Sequence, residues 1–440
     1  MRAGRRGGRG AGRRRAGSLA AGQQLAGSPA AGRRRAGAPV AGERLAAAGE
    51  EHRAAPDARR DRVPLSTIVR EWGRIGCIGF GGPPAHIALL RALCVDRRGW
   101  LSAREFEDGV AAVNLLPGPA STQLAIFCAW RLRGWRGALV GGACFIVPGL
   151  IVILALSAVF LAAHPPRWTG GAAAGADAAV PAVAFSAAAS LAPASWRRAG
   201  AAVLARARWV GYAVIGGLAA ALIGPFLVLV LLGCGLAEML LRVPRHPGQR
   251  AAMLPLAAVP VVAAGGLLSV AWEGFKVGAL SYGGGFVIIP LMQHDAVHTY
   301  HWMTSAQFLS AVALGQVTPG PVVQTVAVVG YAAAGIGGGL LAALVAFAPS
   351  FAFVLAGGPQ FDRLRRNAAI QAFLSGAGPA AIGAIAGATI PLGLGLSHLW
   401  QCAVLGLAAI WLLALRRGVV PAIVGAGALG VVAVLAGAPV

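Results

Sequence analysis

The chain holds a single lysine, Lys276, and only 15 acidic residues among 440. Charged residues make up 12% of it, far below what a soluble protein of this length carries. Its cysteines (Cys77, Cys94, Cys128, Cys144, Cys234 and Cys402) lie in or beside apolar runs without CxxC spacing, which excludes a disulfide framework and a zinc site and leaves small core residues. There is no Walker A sequence for ATP, no G-x-S-x-G, no HExxH and no paired-carboxylate pattern, so nothing points to hydrolysis. No haem or flavin signature accompanies the scattered cysteines, which argues against a reductase. An enzyme is not expected, nor a cofactor.

What the chain has instead is apolar length. Hydrophobic residues make up 57%, and the mean hydropathy is +0.70. Stretches 138–163, 209–241 and 368–396 reach or exceed the roughly 20 apolar residues that cross a bilayer. An all-α polytopic membrane protein follows, with about 10 to 13 transmembrane segments. The formal charge of +23 is concentrated elsewhere. Residues 1–62 form an Arg/Gly/Ala-rich tail with near-repeats of AGRRRAG, too polar to bury a core and expected to be disordered. The tail lacks the apolar centre of a secretory signal and is expected to stay cytoplasmic. A solvated tail explains it without a nucleic-acid partner.

Inside the apolar part, residues 71–125 recur 202 positions later without a gap. Glu71 maps onto Glu273, Arg74 onto Lys276, Gly76 onto Gly278, Gly81-Gly82 onto Gly283-Gly284, Trp100 onto Trp302, and Pro117-Gly118-Pro119 onto Pro319-Gly320-Pro321. The expected organisation is a first repeat at 63–241, a basic loop and linking helix at 242–271, and a second repeat at 272–440. Basic loops fall at 131–136, 197–208 and 242–250 in the first half, but at 360–367 and 416–417 in the second, where the loop after the PGP segment is neutral. Because Arg-rich loops stay cytoplasmic, matching loops of opposite bias predict two inverted-topology repeats. The linking segment must then cross the membrane once. Arg97-Arg98 fits poorly, since this scheme puts it outside.

The GG and PGP segments cannot continue a helix, and broken backbone at membrane depth is tolerated where it is buried or lines a wet cavity. Helix N-termini at such breaks attract anions through free N–H groups. Breaks used only for kinking or packing are the alternative, weakened by both motifs recurring at one offset. Candidate substrate ligands are Gly81, Gly82, Pro117, Gly118, Ser121, Thr122 and Gln123 in the first half, and Gly283, Gly284, Pro319, Gly320, Gln324 and Thr325 in the second. Arg74 and Lys276 supply a cation from each half, unless they only pair with Glu71 and Glu273 three residues earlier. Those two acids are candidates for ion coupling. His86 could donate to an oxyanion, relay a proton or be a satisfied core histidine. Asn114 and Gln316 precede the PGP breaks. His294, His298 and His301 read as an interfacial loop, so no metal site is expected.

GCIGFGGPPAHIALL at Gly76, NLLPGPASTQLAIF at Asn114, FKVGALSYGGGFVIIPL at Phe275 and GQVTPGPVVQTVAVVGY at Gly315 together resemble the chromate ion transporter family in its two-domain form, over roughly residues 65–440. The resemblance implies chromate export through a bacterial inner membrane, giving chromate resistance, with sulfate or another oxyanion as the rival substrate. Expected partners are the oxyanion and the lipid bilayer, with a homodimer left open. The second GG break lacks counterparts of Pro83 and His86, which implies an asymmetric site.

Overall fold

A computed structural model describes residues 63–114, 116–162, 166–222, 226–242, 266–281, 285–357 and 367–439. The tail, most of the expected linking segment, the Gly283-Gly284 pair and the loop carrying Arg363, Arg365 and Arg366 lie outside the described residues. Among those described there are fourteen α-helices and no strand. In chain order they are α1 (Leu65–Ile78), α2 (Gly82–Arg91), α3 (Ala103–Val113), α4 (Ala120–Phe160), α5 (Arg167–Ala199), α6 (Val203–Leu222) and α7 (Leu227–Arg242). The second half continues with α8 (Leu267–Leu280), α9 (Ile289–Gln293), α10 (Ser305–Val317), α11 (Thr325–Gly357), α12 (Ala368–Leu394), α13 (Leu399–Ala409) and α14 (Val419–Leu435). Four helices, α4, α5, α11 with its preceding turn, and α12, are long and apolar enough to cross a membrane, and α13 and α14 are shorter apolar helices.

Local chemistry repeats with the sequence. Ser102 and Glu105 form a capping box that starts α3, and Thr304 and Gln307, 202 residues later, form one that starts α10. Gly134 and Gly335 both have φ near +60°, a region closed to most side chains, and there the chain turns sharply inside α4 and α11. Before its turn α4 runs back along α3: Arg131 pairs with Glu105 at 2.7 Å, and Phe127 packs on Gly109. The segment after α2 likewise returns to α1, where Arg98 pairs with Glu71 at 2.6 Å and Trp100 stacks on Trp72. Residues 65–132 therefore form two helical hairpins that enter and leave from one end. This corrects the sequence topology for Arg97-Arg98. Counting the segment after the GG break as a full crossing put the pair outside, whereas the hairpin returns Arg98 to the end that holds Arg131.

Past their turns, α4 and α11 lie side by side and run oppositely: Gly142 faces Phe351 and Gly339 faces Leu154. Equivalent helices of the two halves are thus antiparallel, which is what inversion requires. The halves also interlock. α12 packs on α6 and α7 of the first half, while α5 packs on α13 and α14 of the second. Close approach comes from glycine, with Gly216, Gly383 and Gly387 at the α6–α12 seam, and Gly171, Gly175 and Gly430 at the α5–α14 seam.

Candidate functional site

The tips of the hairpins meet in the interior, and they meet reciprocally. The Gly118 N–H of the first PGP tip donates to Ser281 O at the end of α8, at 2.5 Å. The Gly320 N–H of the second donates to Gly79 O at the end of α1, at 2.8 Å. Gly79 and Ser281 are themselves 202 residues apart, as are Gly118 and Gly320, so the two bonds form one contact made twice. Each helix end left open by a break is closed by the other half. α4 and α11 brace the tips: a Cβ at Gly149 would strike Pro319 O, and one at Gly118 would lie 3.3 Å from Ser350 Oγ.

His86 is fully buried, and its Nε2 donates to Gly79 O at 2.8 Å. With that tautomer, Nδ1 accepts from Ser121 Oγ at 3.3 Å. Both nitrogens are thus occupied: His86 holds the backbone of the first break at Gly79, and Ser121 holds the His86 ring. The glutamines behave alike. Gln123 Nε2 donates to Pro117 O at 2.6 Å, and Gln324 Nε2 donates to Ile146 O at 2.7 Å. Thr325 Oγ1 donates to Val322 O at 2.9 Å.

Other polar atoms near the tips are buried without a protein partner: Thr122 Oγ1, Ser281 Oγ, Ser350 Oγ, Gln316 Nε2 and the two amide oxygens Gln123 Oε1 and Gln324 Oε1. Buried polar atoms are nearly always paired, so this group is where a polar ligand or water fits. Three hydroxyls and one amide N–H can donate to an oxyanion. Gly81 (φ 97°) caps the first restart and Gly285 (φ 97°) caps the second. Gly285 was missed in the sequence because the 202-residue offset points to Gly283-Gly284, which lie outside the described residues.

The cations stand apart from the tips. Arg74 is exposed and lines a cavity of about 570 Å³ with Arg70, Glu71, Arg97 and Arg98. Lys276 sits between Glu273 (2.6 Å) and Asp295, with its ammonium 5.9 Å from the rings of Trp272 and Tyr300. The i,i+3 ion pair considered for both halves therefore exists only in the second. A further cavity of about 570 Å³ extends from Arg197 and Arg198 to Asn114, Leu116 and Gly118, touching the first tip directly. Asn114 Nδ2 donates to Val110 O. His294 and His298 share a π-helical turn with rings 5.6 Å apart, and His301 leaves it through a left-handed backbone (φ 54°).

The chromate transporter family model matches residues 66–263 and again 268–431. The chain belongs to that family. Similar proteins include the chromate transport protein of Cupriavidus metallidurans, 32% identical over 79% of this chain and 85% of the relative. The chromate transport protein of Pseudomonas aeruginosa is 31% identical over 77% and 84%, and the probable chromate transport protein of Synechococcus elongatus is 29% identical over 79% and 89%. No solved structure matches the chain. The two matched segments of the family model coincide with the halves whose tips interlock, which makes this transporter an interlocked pair of family repeats.

Proposed function

We propose that the protein exports chromate, a tetrahedral dianion, from the cytoplasm across a bacterial inner membrane. The halves are 63–241 and 272–440, inverted and joined by a crossing within 242–271, with the N-terminal tail cytoplasmic. The single observation that carries this reading is the reciprocal meeting of the tips, which gathers unpartnered hydroxyls of Thr122, Ser281 and Ser350 at the seam between halves. Donors at a repeat interface suit a substrate that is exchanged between two faces by one half rocking on the other. Backbone N–H groups after the breaks and the hydroxyls would hold the oxygens of the anion.

Arginine supplies direction rather than coordination. Arg197 and Arg198 stand at the mouth of the cavity that reaches Gly118, and Arg70, Arg74, Arg97 and Arg98 line the one beside α1. Both belong to the end that carries the basic loops, which the charge rule assigns to the cytoplasm. An inside-negative potential moves each negative charge outward by about 2.3 kcal/mol per 100 mV, so a dianion gains about twice that without ATP. The transporter acts as a carrier and not as an enzyme.

Sulfate has the same shape and charge and meets the same donors, so it is the second reading. Cells expressing the protein should accumulate less chromate than cells with empty vector, and Thr122→Val or Ser281→Ala should abolish the difference at equal membrane expression. Equal accumulation with and without the intact protein sinks chromate export. Loss of the effect under excess sulfate identifies a shared site. Size analysis in detergent tests a homodimer.

A further inference from the structure

Asp177 lies in the middle of α5, 5% exposed, in a stretch of alanines. Its Oδ2 accepts from Ser310 Oγ of α10 at 2.9 Å, and its Oδ1 has no partner. The two residues line a cavity of about 230 Å³ whose other walls are apolar, among them Phe160, Trp168 and Leu314. Every other acid of the described core has a cation: Glu71 has Arg98, Glu238 has Arg208 and Arg242, and Glu273 and Asp295 share Lys276. No described cation lies within ion-pair distance of Asp177. In the second half Gly378 stands at the equivalent place on α12, so the acid is found on one side only.

The elements packed on α5 bring little charge. α10, α12 and α14 carry no ionisable side chain. α13 offers Cys402, which is exposed, and its cap residue His398. On α6 are Arg206, Arg208 and Tyr212, the last two engaged with Glu238. The ionisable residues of α4 are Cys128, Arg131, Arg133, Arg136 and Cys144, and α5 itself has Arg167 near its start and Arg197 and Arg198 near its end. A lone carboxylate in apolar surroundings is costly, and protonation removes the charge. A metal cation would find two protein oxygens here, too few for a hard ion.

We propose that Asp177 is a proton-binding site linked to the oxyanion site. Ser310 lies on the helix that leads directly into Pro319-Gly320, and α5 belongs to the opposite half, so the Asp177–Ser310 bond spans the seam that must open during transport. A negative charge there opposes entry of a dianion into the tips. Asp177 therefore takes one proton from water as the oxyanion binds and returns it to water as the oxyanion leaves, with no other bond made or broken. This rests on the oxyanion reading above. It replaces Glu71, Glu273 and His86 as the coupling group, since those three are already partnered.

The test is calorimetric titration of the purified full chain with chromate in buffers of differing ionisation heat, from pH 6 to 9. Chromate itself titrates near neutrality, so the deciding quantity is the difference between wild type and Asp177→Asn. At the high-pH end, where Asp177 is ionised in the free protein, the wild type is expected to take up about one proton more per oxyanion than D177N, and its affinity should fall up to about tenfold per pH unit while that of D177N is flat; at the low-pH end, where Asp177 is already protonated, the two should agree. Equal proton uptake in both across the whole range overturns the proposal. Labelling by a hydrophobic carbodiimide, which adds to protonated buried carboxyls, provides a readout without substrate. Asp177 should be modified at pH 6 and progressively less as pH rises towards 9, and its absence from the labelled peptides at pH 6 also overturns the proposal. If the wild type gives no chromate heat while Asp177 is labelled, the chromate reading fails and the proton site stands.

Discussion

The two hairpins that carry Glu71 and Glu273 solve one problem with different cations. In the first half Glu71 is neutralised by Arg98, which returns from α2 and leaves Arg74 exposed beside it. In the second half the position of Arg98 is taken by Tyr300, that of Arg74 by Lys276, and that of Leu93 by Asp295. Lys276 must then serve two acids from within the protein. Its side chain is 13% exposed, against 49% for Arg98. A duplicated scaffold has thus kept a buried acid near each hairpin while placing a surplus of positive charge at one face and a closed, slightly negative cluster at the other. Such an asymmetry gives the two hairpins different electrostatic character, which a perfectly symmetric repeat would lack.

The sharpest way to break the comparison is to remove the cation from each hairpin in turn. Lys276→Ala leaves Glu273 and Asp295 buried together, and breaking a buried pair in this way costs about 3–5 kcal/mol. A large fall in the unfolding temperature in detergent is expected, with rescue by Glu273→Gln plus Asp295→Asn in the same chain. Arg98→Ala should cost about 1 kcal/mol or less, as for a half-exposed pair, because Arg74 stands three residues from Glu71 on the same helix. Removing Arg98 and Arg74 together should cost more than the two singles added, by about 0.5–3 kcal/mol. If K276A and R98A shift the unfolding temperature equally, the halves do not differ as described.

The tips offer a second comparison. Gly118 and Gly320 both have φ above 100°, where a side chain strains the backbone by about 1–3 kcal/mol. A Cβ at Gly118 would also lie 2.5 Å from Gln123 Nε2, whose bond to Pro117 O shapes the tip, whereas at Gly320 the nearest atom is 3.3 Å away. Gly118→Ala should therefore abolish chromate transport, and Gly320→Ala should reduce it less. Equal loss in both would mean that backbone strain alone matters.

Much of this was legible in the residues, and the misses have physical causes. The register of 202 found Gly118 and Gly320, and the same register maps Gly79 onto Ser281; that each tip is bonded to the other half lies in tertiary structure alone. A returning hairpin reads as a crossing in sequence because an apolar helix of α1 length looks alike whether it continues or returns. Basic loops still gave the inversion, because that signal depends on the ends of the long helices. Arg74 and Lys276 were paired by alignment, although the partner of each acid is decided by what folds back onto it, and Arg98 and Asp295 were passed over. Asp177 is hidden for another reason: in sequence the near-neutral stretch 164–177 reads as a loop between spans, where an acid is ordinary, whereas the helix already starts at Arg167 and buries it.

The smallest effect expected is on capture. Arg70→Gln with Arg74→Gln removes two of the four arginines around the cavity beside α1, where Glu71 is the only acid. Arg74 makes no ion pair with Glu71 in the intact protein, so the unfolding temperature should hardly move, and surface changes of this kind stay within about 0.5 kcal/mol. Anion recruitment acts through the summed field, which fades over about 8 Å at physiological ionic strength. Initial chromate uptake into inside-out vesicles should then fall a few-fold at low salt, and the difference from wild type should shrink as salt is raised. The matching change on the other face, Tyr300→Arg, adds positive charge where the second half has little and should leave uptake from the cytoplasmic side unchanged. A salt-independent loss in the arginine variants would mean that Arg70 or Arg74 touches the bound anion itself, and the division between recruiting arginines and coordinating tips would have to be redrawn.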